Sequence, residues 1–91
     1  QDLVFKVQLA TSSQEVEPKP ENFNGLKGVE YYEAGGLYRY TYGGESSWEE
    51  ASRIQEEVRS AGYEDAFIIA FYNGKRIAVG EAVRLLKKDI N

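Results

Sequence analysis

The feature that most constrains the fold of this chain is the glycine pair Gly35-Gly36, which lies between two segments of alternating polar and apolar residues. Residues 29–34 precede the pair and residues 37–43 follow it. Glycine readily adopts the positive φ angles that a two-residue hairpin turn requires. The sequence therefore predicts an antiparallel β-hairpin at this point.

The length of the turn also predicts which residues share a face of the sheet. A two-residue loop places Ala34 opposite Leu37, and opposed residues lie on one face. The remaining predicted pairs are Glu33 with Tyr38, Tyr32 with Arg39, Tyr31 with Tyr40, and Glu30 with Thr41. We expect Tyr40 on the helix-covered face, together with Val29, Tyr31, Tyr38 and Tyr42. Glu30, Tyr32, Arg39 and Thr41 are then expected on a face open to solvent.

Two further segments extend this pattern. The odd positions of residues 3–9 are uniformly apolar, which predicts a half-buried strand that turns Lys6, Gln8 and Ala10 outward. Near the C-terminus, Asn73-Gly74 is typical of a type I′ turn between strands at 66–72 and 75–79. This turn places Arg76 opposite Phe71, and by alternation Phe67 is expected to face outward too.

Helical patterns complete the plan. Ser47 and Glu50 have the spacing of a capping box, and the apolar positions that follow, starting from Trp48, predict a core-facing helix that ends at Gly62. The apolar spacing from Glu81 predicts a closing helix. Residues 11–28 are polar and contain two prolines, so only a single turn around residues 21–23 is expected there, with Phe23 reaching the core.

The predicted fold class is therefore α+β with a βαββαβ order. We expect a four-stranded antiparallel sheet with helices on one face, a shortened first helix, and an extra C-terminal hairpin and helix. A length of 91 residues is consistent with one domain, residues 1–91. The chain contains no methionine, even at position 1, from which we expect it to be a domain cut from a larger protein.

Composition argues against several classes of function. The chain has a net charge of −4, whereas nucleic-acid surfaces are usually basic. It lacks histidine and cysteine, and no nucleophile–base pair or metal cluster is visible in the sequence. We therefore expect no catalysis and no cofactor or metal. The apolar run at 66–72 is too short to span a membrane, so no membrane contact is expected.

The predicted open face combines a planar amide, a guanidinium, hydroxyls and aromatic rings, a set that suits a carbohydrate. Its members are Gln8, Tyr32, Arg39, Thr41 and Phe67. Three of them also have simpler explanations. Gln8 can be an ordinary solvent-facing residue, Arg39 can pair with Glu30 or stack on Tyr32, and Phe67 can belong to the core.

Three segments together resemble the SPOR domain, a bacterial peptidoglycan-binding family. They are Phe5-Lys6-Val7-Gln8-Leu9-Ala10-Thr11-Ser12, Tyr38-Arg39-Tyr40-Thr41-Tyr42-Gly43, and the helix-to-strand stretch 58–69, with Ala51 near the start of the helix. The resemblance covers about residues 3–72 and leaves 73–91 as a C-terminal extension. It departs from the family at residues 12–27, where two prolines replace a regular helix, and at Leu9-Ala10, where the family has a small residue and glycine.

The resemblance implies an RNA-recognition-like, ferredoxin-like fold and a non-catalytic function: binding septal glycan strands that have lost their stem peptides. The family's binding positions correspond to Gln8, Thr11, Arg39 and Phe67, of which Thr11 comes from the resemblance alone. The implied location is the periplasm or cell envelope. There the domain would act as a monomer that targets a host protein, such as an N-acetylmuramoyl-L-alanine amidase, to the division septum.

Two other functions remain open at the level of sequence. The same βαββαβ plan serves RNA-binding modules whose sheet aromatics stack on bases, although the acidic charge weighs against this. It also serves ferredoxin-like regulatory or protein-interaction domains, which would use a sheet edge or the terminal helix.

Overall fold

The computed structural model describes residues 3–90, with side-chain surroundings through residue 87. Gln1, Asp2 and Asn91 lie outside the described residues. The elements in this range are β1 (Leu3–Ser12), β2 (Glu30–Ala34), β3 (Leu37–Glu45), α1 (Trp48–Ser60), β4 (Phe67–Tyr72), β5 (Lys75–Ile77) and α2 (Val79–Ile90).

The strands form one antiparallel sheet in the spatial order β2-β3-β1-β4-β5. The predicted α+β class is confirmed, but the predicted count of four strands is wrong. The C-terminal hairpin pairs β5 with the outer edge of β4, so the sheet of the described chain has five strands. The segment after residue 72 therefore enlarges the sheet at this edge.

Both hairpin turns form at the positions predicted from Gly35-Gly36 and Asn73-Gly74. Gly35 and Gly36 have φ angles of 62° and 77°, and the β2–β3 register contains all five predicted pairs, from Ala34 with Leu37 to Glu30 with Thr41. In the second turn Asn73 and Gly74 have φ angles of 52° and 82°. The strand after this turn is shorter than predicted: it ends at Ile77, and α2 begins at Val79 rather than near Glu81.

The crossover between β1 and β2 contains a single 3-10 turn, Pro20–Asn22, which confirms the single turn predicted around residues 21–23. Phe23 follows this turn and is buried against the ring of Tyr40, with ring centroids 5.0 Å apart. The backbone N–H of Val16 donates a hydrogen bond to the Tyr40 hydroxyl at 2.6 Å. Aromatic packing and this hydrogen bond thus hold a segment that has little regular structure of its own.

Both helices pack on the same side of the sheet. The Ser47 hydroxyl accepts a hydrogen bond from the N–H of Glu50 at 3.2 Å and caps α1 as predicted. Val58 of α1 and Ala82 of α2 belong to one buried apolar cluster with Phe5 and Val7 of β1.

The prediction for Trp48 is wrong, because this side chain is 39% exposed. Trp48 is the first residue of α1, and its ring meets Phe5 edge-on at a centroid distance of 5.8 Å. It therefore borders the core instead of filling it.

Candidate glycan-binding face

The sheet side that is not covered by the helices collects all six predicted site residues. Its first cross-strand row is centred on Gln8 of β1, which lies opposite Thr41 of β3 on one side and Phe67 of β4 on the other. Glu30 of β2 lies opposite Thr41 and ends the row. Three strands that are distant in sequence thus align Thr41, Gln8 and Phe67.

The second row exists because β1 contains a bulge. Gln8 lies opposite Thr41, but the next paired residue of β1, Ala10, lies opposite Tyr40, so the register shifts by one residue. Such an extra residue reverses the alternation of faces beyond it. Thr11 consequently lies opposite Arg39, on the side of Gln8. Ala10 shares the row of Tyr40, so it lies on the other side of the sheet from the one predicted, although it is exposed.

Tyr32 completes the second row opposite Arg39. The tyrosine and the arginine pair as predicted from the Gly35-Gly36 turn. The six residues therefore occupy two adjacent rows, Thr41–Gln8–Phe67 and Tyr32–Arg39–Thr11.

The sheet curls strongly toward this side. Neighbouring strands are about 4.8 Å apart, so β2 and β5, four steps apart, would be roughly 19 Å apart in a flat sheet. Instead, Nη1 of Arg76 in β5 donates a hydrogen bond to Oη of Tyr32 in β2 at 3.0 Å. The Tyr32 ring also meets Phe71 of β4 edge-on, with centroids 5.3 Å apart. We call this side the concave face.

The curl corrects the expectation of an open face. Gln8 is only 5% exposed and Thr41 only 2%, and Ile69, beside Lys6 in the register, is fully buried. The two edges of the sheet approach each other above these residues and remove them from solvent. Phe67, in contrast, is 46% exposed at the end of its row, so it is not a core residue.

Burial leaves one polar atom without a partner. Gln8 Oε1 is buried and accepts no hydrogen bond within the described structure. An unpaired buried acceptor costs about 1–3 kcal/mol, so few remain in a folded protein without a reason. A ligand N–H or O–H that reached this carbonyl would remove the penalty.

The cations of the concave face differ in their partners. Lys6 Nζ makes an ion pair with Glu30 at 2.9 Å and lies 5.5 Å from the centroid of Phe71. The alternative pairing of Glu30 with Arg39 is therefore absent. Arg39 Nε instead donates to the backbone carbonyl of Ala34 at 3.2 Å, and its guanidinium lies over the hairpin turn beside Gly35.

The charge of the concave face is opposite to that of the whole chain. Its described strand residues include three cations, Lys6, Arg39 and Arg76, but only one carboxylate, Glu30. The chain as a whole has a net charge of −4. An anionic ligand is therefore favoured on this face more than on the rest of the surface.

Two features lie outside the six predicted residues. A pocket of about 350 Å³ borders one end of the face and is lined by Lys27, Gly28, Glu30, Tyr42, Gly43, Gly44, Glu45 and Ile54. On the helix side, the Tyr31 hydroxyl donates to Glu15 Oε2 at 2.6 Å. The bond to this carboxylate, followed by burial, raises the pKa of Tyr31 to about 12.

Sequence reasoning turned Lys6 and Phe71 outward and placed Arg76 opposite Phe71, but it did not include these three residues among the binding residues. The signal for the last two was present, because the Asn73-Gly74 turn already places Arg76 opposite Phe71, as observed. No pattern in the sequence indicated that Arg76 would reach across the face to Tyr32, since that contact depends on the curl of the whole sheet.

The chain matches no protein-family model, no curated protein and no solved structure. Within residues 3–90, no group of three or more acidic side chains is arranged to hold a metal ion. The same residues contain no helix with the length and apolar character needed to cross a bilayer.

Proposed function

We propose that this domain is a non-catalytic, SPOR-like module that binds peptidoglycan glycan strands from which the stem peptides have been removed. The proposal includes a ferredoxin-like arrangement of the first four strands. The order β2-β3-β1-β4, with β5 added beyond β4, is compatible with that arrangement. In the cell the module would bring its host protein, for example an amidase, to the septal wall.

The observation that carries the proposal is the position of Gln8. Its buried, unpaired Oε1 lies in a row between a hydroxyl, Thr41, and an exposed ring, Phe67. The acetamido groups of a glycan strand offer N–H donors, and sugar rings offer flat C–H faces that pack on aromatic rings. This row thus presents the contacts that an N-acetylated sugar would use.

Arg39 would provide selectivity for denuded strands. Its Nη groups make no hydrogen bond within the described residues, and a guanidinium can bind a carboxylate through two parallel hydrogen bonds. The lactyl group of N-acetylmuramic acid has such a carboxylate only after the stem peptide is removed. Thr11, in the same row, would hydrogen-bond a neighbouring hydroxyl, and Tyr32 would provide a further apolar surface.

Access to Gln8 requires the side chains above it to move apart. The covering contacts are the exposed hydrogen bond between Tyr32 and Arg76 and the packing of the Tyr32 ring on Phe71. Exposed side chains change rotamer within picoseconds to nanoseconds, so this movement need not limit binding.

Co-sedimentation of the purified domain with sacculi tests the function. Binding should increase after an amidase has removed stem peptides, and single-stranded RNA, which shares the negative charge of the strand, should not compete. Equal binding to treated and untreated sacculi would remove the claim of selectivity. Absence of binding to both would remove the function, and competition by RNA would favour the nucleic-acid alternative.

Matched variants test which face binds. Arg39→Ala should weaken binding roughly ten- to hundredfold, which corresponds to the loss of a charge-assisted hydrogen bond. Arg53→Ala, which removes an exposed arginine that pairs with Glu50 on α1, should not. Phe67→Ala should weaken binding, whereas Tyr72→Ala removes a ring that is 38% exposed on the opposite side of the sheet and should not.

A further inference from the structure

Arg76 lies on the concave face but outside the segment that resembles a known family. It belongs to β5 and is opposite Phe71, which pairs with Val4 of β1 and whose ring centroid lies 5.5 Å from Nζ of Lys6. Its side chain is exposed and reaches Tyr32 on the far edge of the sheet. The C-terminal hairpin thus brings a third cation to the face.

The only hydrogen-bond partner of the Arg76 guanidinium among the described residues is a neutral phenol. Lys6 is already neutralised by Glu30, but neither Arg39 nor Arg76 has a carboxylate within ion-pair distance in the described part of the chain. A hydrogen bond between a guanidinium and a carboxylate is about twice as strong as one between neutral groups. A carboxylate ligand would therefore displace the Tyr32 hydroxyl from Arg76.

Tyr32 lies between the two guanidiniums. Its backbone is opposite Arg39, and its hydroxyl contacts Arg76. A ligand that packs along Tyr32 would consequently lie near Arg39 at the backbone end of this side chain and near Arg76 at its hydroxyl end. Two guanidiniums on one face, neither paired with a carboxylate of the described residues, suit a polymer with repeated carboxylates better than a ligand with a single charge.

We propose that Arg76 is a second anion-binding residue of the concave face, and that the face recognises two or more carboxylates along one glycan strand. This inference rests on the proposed function, and it assigns a ligand-binding role to the β4–β5 hairpin. In the unliganded protein Arg76 is held by Tyr32, and in the complex it exchanges the phenol oxygen for a ligand carboxylate.

The test compares Arg76→Gln with Lys75→Gln. Both variants remove one positive charge from β5, but Lys75 lies opposite Tyr72 and faces the other side of the sheet. The probes are a tetrasaccharide with two N-acetylmuramic acid carboxylates and a disaccharide with one. For the tetrasaccharide, Arg76→Gln should raise the Kd about tenfold or more and make its dependence on salt shallower. Lys75→Gln should change the Kd less than twofold.

Two further comparisons distinguish a role of Arg76 in ligand binding from a purely structural role, in which its hydrogen bond to Tyr32 only holds the two edges of the sheet together. Tyr32→Phe keeps the ring that would contact the ligand but removes the hydroxyl that holds Arg76, so it should increase tetrasaccharide affinity. Arg76→Gln should have less effect on the disaccharide than on the tetrasaccharide. If Arg76→Gln binds the tetrasaccharide like the wild type, or if Lys75→Gln weakens binding equally, the role of Arg76 is refuted while the proposed function stands. Failure of the wild type to bind either probe would refute both proposals.

Discussion

The hydroxyl of Tyr40 accepts a hydrogen bond from the backbone N–H of Val16 at 2.6 Å, although the two residues are 24 positions apart. Tyr40 is almost fully buried and its ring packs on Phe23. One side chain of β3 therefore contacts the crossover between β1 and β2 near its start, at Val16, and near its middle, at Phe23. Tyr40, a residue of the sheet, thus holds this irregular segment in place without a packed helix.

Tyr40→Phe should lower the free energy of unfolding by about 1 kcal/mol, since it removes one hydrogen bond but keeps the ring. Tyr40→Ala should lower it by about 3–5 kcal/mol, because it also leaves a cavity in the core. Urea unfolding measures both changes. Tyr38→Phe is the control, since its hydroxyl makes no hydrogen bond within the described residues. Equal stability of Tyr40→Phe and the wild type would show that the bond to Val16 contributes nothing.

Gln8→Met should stabilise the unliganded protein. The substitution keeps a similar volume and removes a buried acceptor that has no partner, which should raise the free energy of unfolding by about 1 kcal/mol. The same variant should lose glycan affinity, because the proposed ligand contact is gone.

Gln55→Met provides the contrast to Gln8→Met. Gln55 Nε2 donates to the carbonyl of Ala66 at 3.0 Å, so this variant should be destabilised. If Gln8→Met is as destabilised as Gln55→Met, the side-chain carbonyl of Gln8 already has a hydrogen-bond partner in the unliganded protein. That result would contradict the proposed contact between this carbonyl and a ligand.

The hydrogen-bonded pair of Tyr31 and Glu15 should make the free energy of unfolding fall at alkaline pH. The folded protein holds the pKa of Tyr31 at about 12, above its ordinary value of 10.0. Folding therefore favours the protonated phenol, and this contribution is fully present below pH 10 and is lost as the pH rises toward about 12.

Chemical denaturation across this pH range, with Tyr31→Phe as the reference, isolates the effect of Tyr31. The wild type should lose more stability on alkalinisation than Tyr31→Phe, because the phenylalanine does not titrate. Glu15→Gln should lower the pKa of Tyr31 in a spectrophotometric titration, since it removes the negative carboxylate. An unchanged pKa in that variant would contradict the assigned cause.

Two glycines with positive φ should respond differently to alanine. A Cβ on Gly62, where φ is 114°, would lie 3.0 Å from Nδ2 of Asn24, which itself donates to the carbonyl of Ala61. A Cβ on Gly74, where φ is 82°, would meet no atom within 4 Å.

Gly74→Ala should therefore cost only the strain of a left-handed conformation, about 1–2 kcal/mol, and Gly62→Ala should cost more. Thermal unfolding of the two variants gives the comparison. A smaller loss of stability for Gly62→Ala than for Gly74→Ala would show that the contact with Asn24 is easily relieved.

Local patterns predicted the elements of this fold well. The Gly35-Gly36 turn fixed the complete β2–β3 register, and the Ser47 cap located the start of α1. These features depend on residues close together in the chain, so sequence alone contains them. The grouping of Gln8 with Arg39 and Thr41 on one face followed from the same local rules.

The curl of the sheet could not be predicted in this way. It brings Arg76 to Tyr32, 44 positions away, and no single strand pattern encodes that contact. For the same reason Gln8 and Thr41 were expected at the surface but are buried. Trp48 was assigned to the core from helical spacing, yet its place at the first position of α1 leaves it at the border of the core.

The bulge at Leu9 and Ala10 has a consequence for how a sequence of this kind should be aligned. The bulge adds one residue to β1, so even-numbered residues lie on one face of the sheet before it and on the other face after it. Thr11 therefore lies on the same face as Gln8, although the two residues are three positions apart. An alignment to a regular strand without a single-residue gap at this point would hide the relation between Gln8 and Thr11, because it would assign them to different sides. Deleting Ala10 should therefore remove the bulge and restore simple alternation, with Leu9 opposite Tyr40 and Thr11 still opposite Arg39 on the concave face.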